Sequence, residues 1–342
     1  MVGVIRSFHA GSRKQDPAYT DHMATRVAIA ILLIVVSMPP GTAQTQQTMF
    51  VFQNNFWVNL HQFLRGEVFR QRTNRPLGID PASLSDAERA AWLSTMDVYT
   101  EVAKGDLIFD ENARRIANTL ATAGDVARLS DGVLDARTIG ALNAAAPIYR
   151  ARLWPARQRE NDAWSANAKA LVVRHESAMA AALAKAYGTT WPREPYLVDV
   201  VGEIGPNSAV THDGPAGFAA HIQASAGSTR NTGDAPLELI FHEASHVAAV
   251  GGRITRMIED ESRRQKLSTP PDLWHFTIMF TSGTLARQEL AATGSPGYVP
   301  YVDRYDMLPA ATRAAFERAW LPYLNGRSPL AVALHDLVRD AR

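Results

Sequence analysis

The chain has no cysteine among its 342 residues. That excludes disulfides, thiolate metal ligands, a cysteine nucleophile and a lipid-modified N-terminal cysteine. Any metal must be held by His, Asp, Glu and water. An excess of either charge is missing too. The 35 Lys and Arg against 34 Asp and Glu leave a formal net charge of +1, which gives no footprint for nucleic acid or an anionic membrane. Long apolar runs are absent as well. The most apolar stretch, Val27 to Met38, falls short of the about 20 residues a comfortable membrane span needs. What is present is a hydrophobic content of 46%, enough to build one large domain or two modest ones.

The short run sits where a signal peptide would. Arg26 precedes it, and Pro39-Pro40-Gly41-Thr42-Ala43 follows, giving a charged n-region, an h-region and small residues at a cleavage point after Ala43. Residues 1–22 are polar, and Met23 is a natural start. Residues 1–43 are therefore expected to be an N-terminal extension and signal peptide. The mature chain is expected to be exported, periplasmic or secreted, with no stable membrane span after cleavage.

Residues 44–190 read as helical. Phe56, Trp57, Leu60, Phe63 and Leu64 recur at helical spacing and predict a helix from about 49 to 72, with His61 a core or groove histidine. Further helices are expected near 86–104, 111–123, 136–152 and 156–187, the last stopped by Gly188. Composition changes at Thr189-Thr190-Trp191-Pro192. Tyr196 to Val201 is rich in β-branched residues and predicts a strand. A short strand is expected near 208–211 and another at 218–225. His212 and His221 on these strands either face a cleft or line a polar strand face. The fold class is therefore α+β, mainly helical, with 44–190 and 191–342 joined in one compact unit and helices near 309–323 and 328–340 as scaffold.

The chemistry concentrates at Pro236 to Val247. Asp234 suits an N-cap, Pro236 the first turn and Glu238 the positive helix end, while Gly251-Gly252 is expected to stop the helix. Within it, His242-Glu243-Ala244-Ser245-His246 puts two imidazoles on one face, one turn apart. Two such rings can share one zinc ion, with Glu243 beside the attacking water. Ile240, Phe241, Val247, Ala248 and Val250 surround them. A buried helix must give its polar groups partners, and a metal does so.

The His242-Glu243-x-x-His246 pattern resembles the active-site helix of the zincin metallopeptidases, over residues 195 to 290. More broadly, the chain resembles a group of uncharacterised exported bacterial proteins through Asn55 to His61, Tyr149 to Ala156, Phe241 to His246 and Leu273-Trp274-His275. The zincin resemblance implies a small sheet before the motif helix. It also implies that the last strand before that helix, provisionally 218–225, offers its edge to a peptide or protein substrate in extended conformation.

Catalytic zinc typically takes three protein ligands. The metzincin spacing fails at Ala249 and Gly252, and a thermolysin-like spacing meets Lys266. Glu259, Asp260, Glu261, His275 and Glu289 remain. The first three share a charged helix rich in arginine, which favours a solvated, ion-paired face. His275 lies in an apolar stretch opening on Pro270-Pro271-Asp272 and is preferred as the third ligand. Tyr301, in the loop 294–305, is the first choice for an oxyanion donor, with Arg287 behind it. Hydrolysis of a peptide bond is the leading expectation. A non-peptide amide or ester hydrolase and a non-catalytic exported binding protein stay open.

Overall fold

A four-stranded sheet in the order β1-β2-β4-β3 separates two hydrophobic clusters. Its strands are β1 (Phe50–Gln53), β2 (Tyr196–Val201), β3 (Ala209–His212) and β4 (Ala220–Ser225). The computed structural model describes residues 48–105, 110–205 and 207–341; the signal-peptide and cleavage-site readings at 1–43 lie outside them. β1, β2 and β4 run parallel, and β3 pairs antiparallel with β4 on the sheet's edge. β2 and β4 are buried along their whole length. Alternation sorts their side chains. Tyr196, Val198, Val200 and Ile222 join one cluster, while Leu197 and Val201 join the other.

Parallel pairing of β1 with β2 requires a crossover, and among the described residues five α-helices supply most of it. They are α1 (Phe56–Arg72), α2 (Asp86–Val102), α3 (Glu111–Ala121), α4 (Ala136–Arg152) and α5 (Trp154–Tyr187). The expected helix start at 49 is corrected here. Phe50 to Gln53 pair with Tyr196 to Asp199 as a strand, and Asn55 delays the helix by accepting from the Trp57 and Val58 amides at 2.8 and 3.0 Å. α2 opens with a Ser85–Glu88 capping box. α5 closes at Gly188, whose φ of 58° is open to glycine at little cost.

The two sequence regions are locked together at the end of β2. Asn161 of α5 donates to Asn59 Oδ1 at 3.0 Å and to the Val200 carbonyl at 3.2 Å, and the Gly202 amide donates to Asn59 Oδ1 at 2.9 Å. With β1 from the first region inside a sheet built by the second, residues 48 onward form one compact unit.

After β4 come α6 (Ala235–Ala244), α7 (Gly251–Arg264) and α8 (Leu273–Ala292). The motif helix is shorter than expected. It ends at Ala244, and Gly251-Gly252 begin α7 instead of stopping α6. Ser245 Oγ donates back to the Phe241 carbonyl at 2.7 Å, and the His246 amide turns to the Glu243 carbonyl at 3.1 Å. The chain then folds back so closely that a Cβ on Gly251 would lie 3.0 Å from the Ser245 carbonyl oxygen. Glycine is used there for close approach. The C-terminal helix Leu330–Asp340 packs on α7. Among the described residues, no helix is long and apolar enough to cross a membrane.

Candidate metal centre

α6 is apolar on nearly every side, with Leu237, Leu239, Ile240, Phe241 and Ala244 all buried. That burial fixes its rotation and leaves His242 half-buried at the end that meets α8. His246 sits just past the helix in the turn, yet its Nε2 lies 3.2 Å from His242 Nε2. His275, in the first turn of α8, completes the group. Its ring centroid is 5.3 Å from that of His242 and 5.2 Å from that of His246. One ring nitrogen from each histidine lies within 4.8 Å of the others. Trp274 meets the His246 ring edge to face at 5.7 Å, which orients that ring by packing.

These three rings can hold a metal ion. The close His242 and His246 nitrogens satisfy each other only with one proton between them, and no described carboxylate accepts from any of the three. Together they lie close enough to hold a cation. Burial holds all three in the unprotonated form that binds metal. His242 is pushed well below the ordinary range by burial and the neighbouring rings, His246 to about 3 by burial first, and His275 downward by burial despite Asp272. His242 Nδ1 is buried without a partner, so packing alone fixes that ring from behind.

Glu243, between the two motif histidines in sequence, is 7% exposed. Burial raises its carboxyl to about 7, against the opposing pull of Thr211. Thr211 Oγ1 of β3 donates to Glu243 Oε2 at 2.7 Å. Nothing in the sequence around Thr211 pointed to this contact, because it depends on which strand ends at the sheet's edge. That assignment is itself corrected. β4, expected to be the edge, is flanked by β2 and β3; the edge strands are β1 and β3, and β3 is the one that reaches Glu243.

Glu238, one turn before His242, is buried and accepts from Tyr298 at 2.5 Å and from the Tyr301 amide at 3.1 Å. Burial raises it to about 7. Tyr301 donates to Asn231 Oδ1 at 2.8 Å, with the Arg230 carbonyl at 3.1 Å. Its proton is therefore committed to the loop before α6. The structure gives it a bracing contact, and the expected oxyanion role gains no support from it. Arg287 faces Asp303 at 3.4 Å instead.

The other third-ligand candidates have partners elsewhere. Glu289 meets His175 at 3.0 Å, Asp260 pairs with Arg263, and Glu261 faces His335 at 2.9 Å together with Arg264. Glu259 is half-exposed and outside the cluster. His212 and His221 lie on the sheet face turned away from α6, and His61 is buried between Tyr99 and the Ala113 carbonyl. The chain matches no family model, no curated protein and no solved structure.

Proposed function

We propose that the mature chain is an exported, zinc-dependent hydrolase of the zincin type that cleaves peptide bonds. The observation that carries the reading is the convergence of His242, His246 and His275, with neighbouring Glu243 buried against the edge strand. A donor set of imidazoles suits zinc. Zinc held there would act as a Lewis acid, polarising a carbonyl and lowering the pKa of water. The three neutral rings add no negative charge, so the Glu243 carboxylate is the charge nearest in sequence to offset the cation.

The remaining steps belong to the chain. Glu243 accepts a proton as the water oxygen bonds to the carbonyl carbon. It then delivers that proton to the nitrogen as the carbon–nitrogen bond breaks, leaving a carboxylic acid and an amine. A carboxyl raised to about 7 by burial is suited to both transfers near neutral pH. The open edge of β3 supports an extended substrate through added strand pairing, with backbone groups giving affinity and alternate side chains selectivity.

The test is elemental analysis of residues 44–342 purified without a metal-binding tag, followed by a peptide-library screen. About one zinc per chain is expected. Glu243→Gln should keep that zinc and lose roughly 10²–10⁴-fold in hydrolysis. A folded protein that takes up no added zinc would sink the metalloenzyme reading.

A further inference from the structure

Glu243 does not hold itself in place. Its carboxylate is buried, and Thr211 Oγ1 donates to its Oε2 at 2.7 Å. One oxygen is thereby anchored and the other stays available. A glutamate with three rotatable bonds and a single anchored oxygen has its direction set by that anchor.

The anchor is itself fixed by the opposite face of the sheet. Thr211 pairs with Ile222 of β4, and its neighbour His212 pairs with His221. Because strand side chains alternate, Thr211 points to α6 while His212 points to α1. His212 Nε2 accepts from Gln223 Nε2 at 2.7 Å, and Gln62 of α1 donates to Gln223 Oε1. Arg65 donates to Gln62 Oε1 at 3.3 Å. This donor chain runs in one direction and holds β3 against rotation from behind. A one-residue slip of the strand would exchange the two faces and remove the hydroxyl from Glu243.

We propose that Thr211 is a positioning residue, its hydroxyl holding Glu243 in the orientation that serves proton transfer while the His212–Gln223–Gln62 chain holds Thr211. The inference rests on the hydrolase reading for its catalytic meaning, but the positioning can be read without substrate. Thr211→Val keeps the shape and removes the donor; Thr211→Ser keeps the donor; Thr211→Ala serves as a second donor-free variant should the valine variant fail to fold.

Crystal structures of wild type and the three variants should show one Glu243 rotamer with Thr or Ser at 211. With Val or Ala, a displaced or divided Glu243 side chain is expected. On a cleaved peptide, the donor-free variants should lose about 10²-fold in kcat, with KM and zinc content unchanged, and Thr211→Ser should restore kcat. A single wild-type Glu243 rotamer in Thr211→Val, or in Thr211→Ala if that is the variant that folds, overturns the proposal whatever the activity. A wild type inactive on every peptide sinks the peptidase reading instead, and the rotamer comparison still decides this one.

Discussion

The two faces of the sheet each gather histidines, and they treat them in opposite ways. On the face toward α1 and α3, His221 has both ring nitrogens met by protein groups. His221 Nδ1 donates to Asn118 Oδ1 at 2.7 Å, and its Nε2 faces Asp199 Oδ2 at 2.7 Å. Asn118 is oriented by its own donation to the Asp213 carbonyl at 2.7 Å. Asp199 also accepts from Gln53 of β1 at 3.0 Å. On the face toward α6, one ring nitrogen from each of His242, His246 and His275 lies within 4.8 Å of the others. Both groups have apolar neighbours in sequence, such as Ala220 and Ile222 or Phe241 and Val247, so apolar flanks do not distinguish a ligand from a core histidine. What distinguishes them is whether the polar atoms are already satisfied. A histidine whose nitrogens have protein partners ties elements together; rings that share only each other are free to hold a cation.

The widest separation between the faces should appear in metal affinity. His275→Ala is expected to weaken zinc binding well beyond the roughly 10–100-fold that losing an outer-shell partner costs. His221→Ala should leave that affinity within a few-fold of wild type. Competition titration against a chelator measures both. Equal losses would erase the distinction between the faces. Stability should show the reverse. Asp199→Ala strips the acceptor from His221 and Gln53 inside the sheet, where Asp199 and His221 are both 0% exposed. Removing one partner of such a buried pair costs about 3–5 kcal/mol. The zinc stoichiometry of the folded fraction should be unchanged.

The pair of faces also shows what could be read from the chain. The β-branched run of β2 and the capped helices follow from local pattern, and so does the His242–His246 spacing, because each involves neighbours within a turn or two. His275 could be reached by need, since two imidazoles require a third ligand and the rival carboxylates were crowded by arginines. The edge strand could not be assigned. Strand order in a sheet is set by crossovers over long separations, so the short strand expected near 208–211 carried no sign that it would lie outside β4. The same holds for Thr211 and for Asp199 with Gln53, whose contacts cross the sheet. The helix break after Ala244 was hidden for a different reason. Ala, Ser and Val carry no strong stop signal, and the turn is set by Ser245 bonding back to Phe241.

A smaller effect, graded with pH, comes from the α1 side. Burial pushes His61 down to about 3, aided by Arg65, and burial pushes His212 well below the ordinary histidine range. Unfolded, both titrate near 6.5. Between 6.5 and the lowered folded values, the unfolded chain therefore binds more protons than the folded one. Stability is present above pH 6.5 and is lost as pH falls through that window, each group contributing up to about 1.4 kcal/mol per pH unit. Denaturant unfolding of zinc-free protein from pH 8 to 4 should trace this decline. Replacing His61 with a residue that does not titrate should make the slope shallower; an unchanged slope would mean His61 is accessible to protons when folded.

The smallest expected effects lie on α7, and they test whether buried charge alone marks a metal ligand. Glu261 is 1% exposed, more deeply buried than Glu243 at 7%. Its Oε1 nonetheless takes Gln265 Nε2 at 2.7 Å and His335 Nδ1 at 2.9 Å, and its Oε2 is ion-paired with Arg264. By the rule the two faces teach, a group already satisfied is a structural one. Glu261→Ala should thus leave zinc affinity unchanged and cost about 1–3 kcal/mol, the penalty of stranding partly buried partners. Glu259, two residues earlier and half-exposed, should change stability by less than about 0.5 kcal/mol and zinc affinity not at all. A sharp loss of zinc in either variant, with His275→Ala silent, would move the third ligand onto α7 and break the rule at its simplest point.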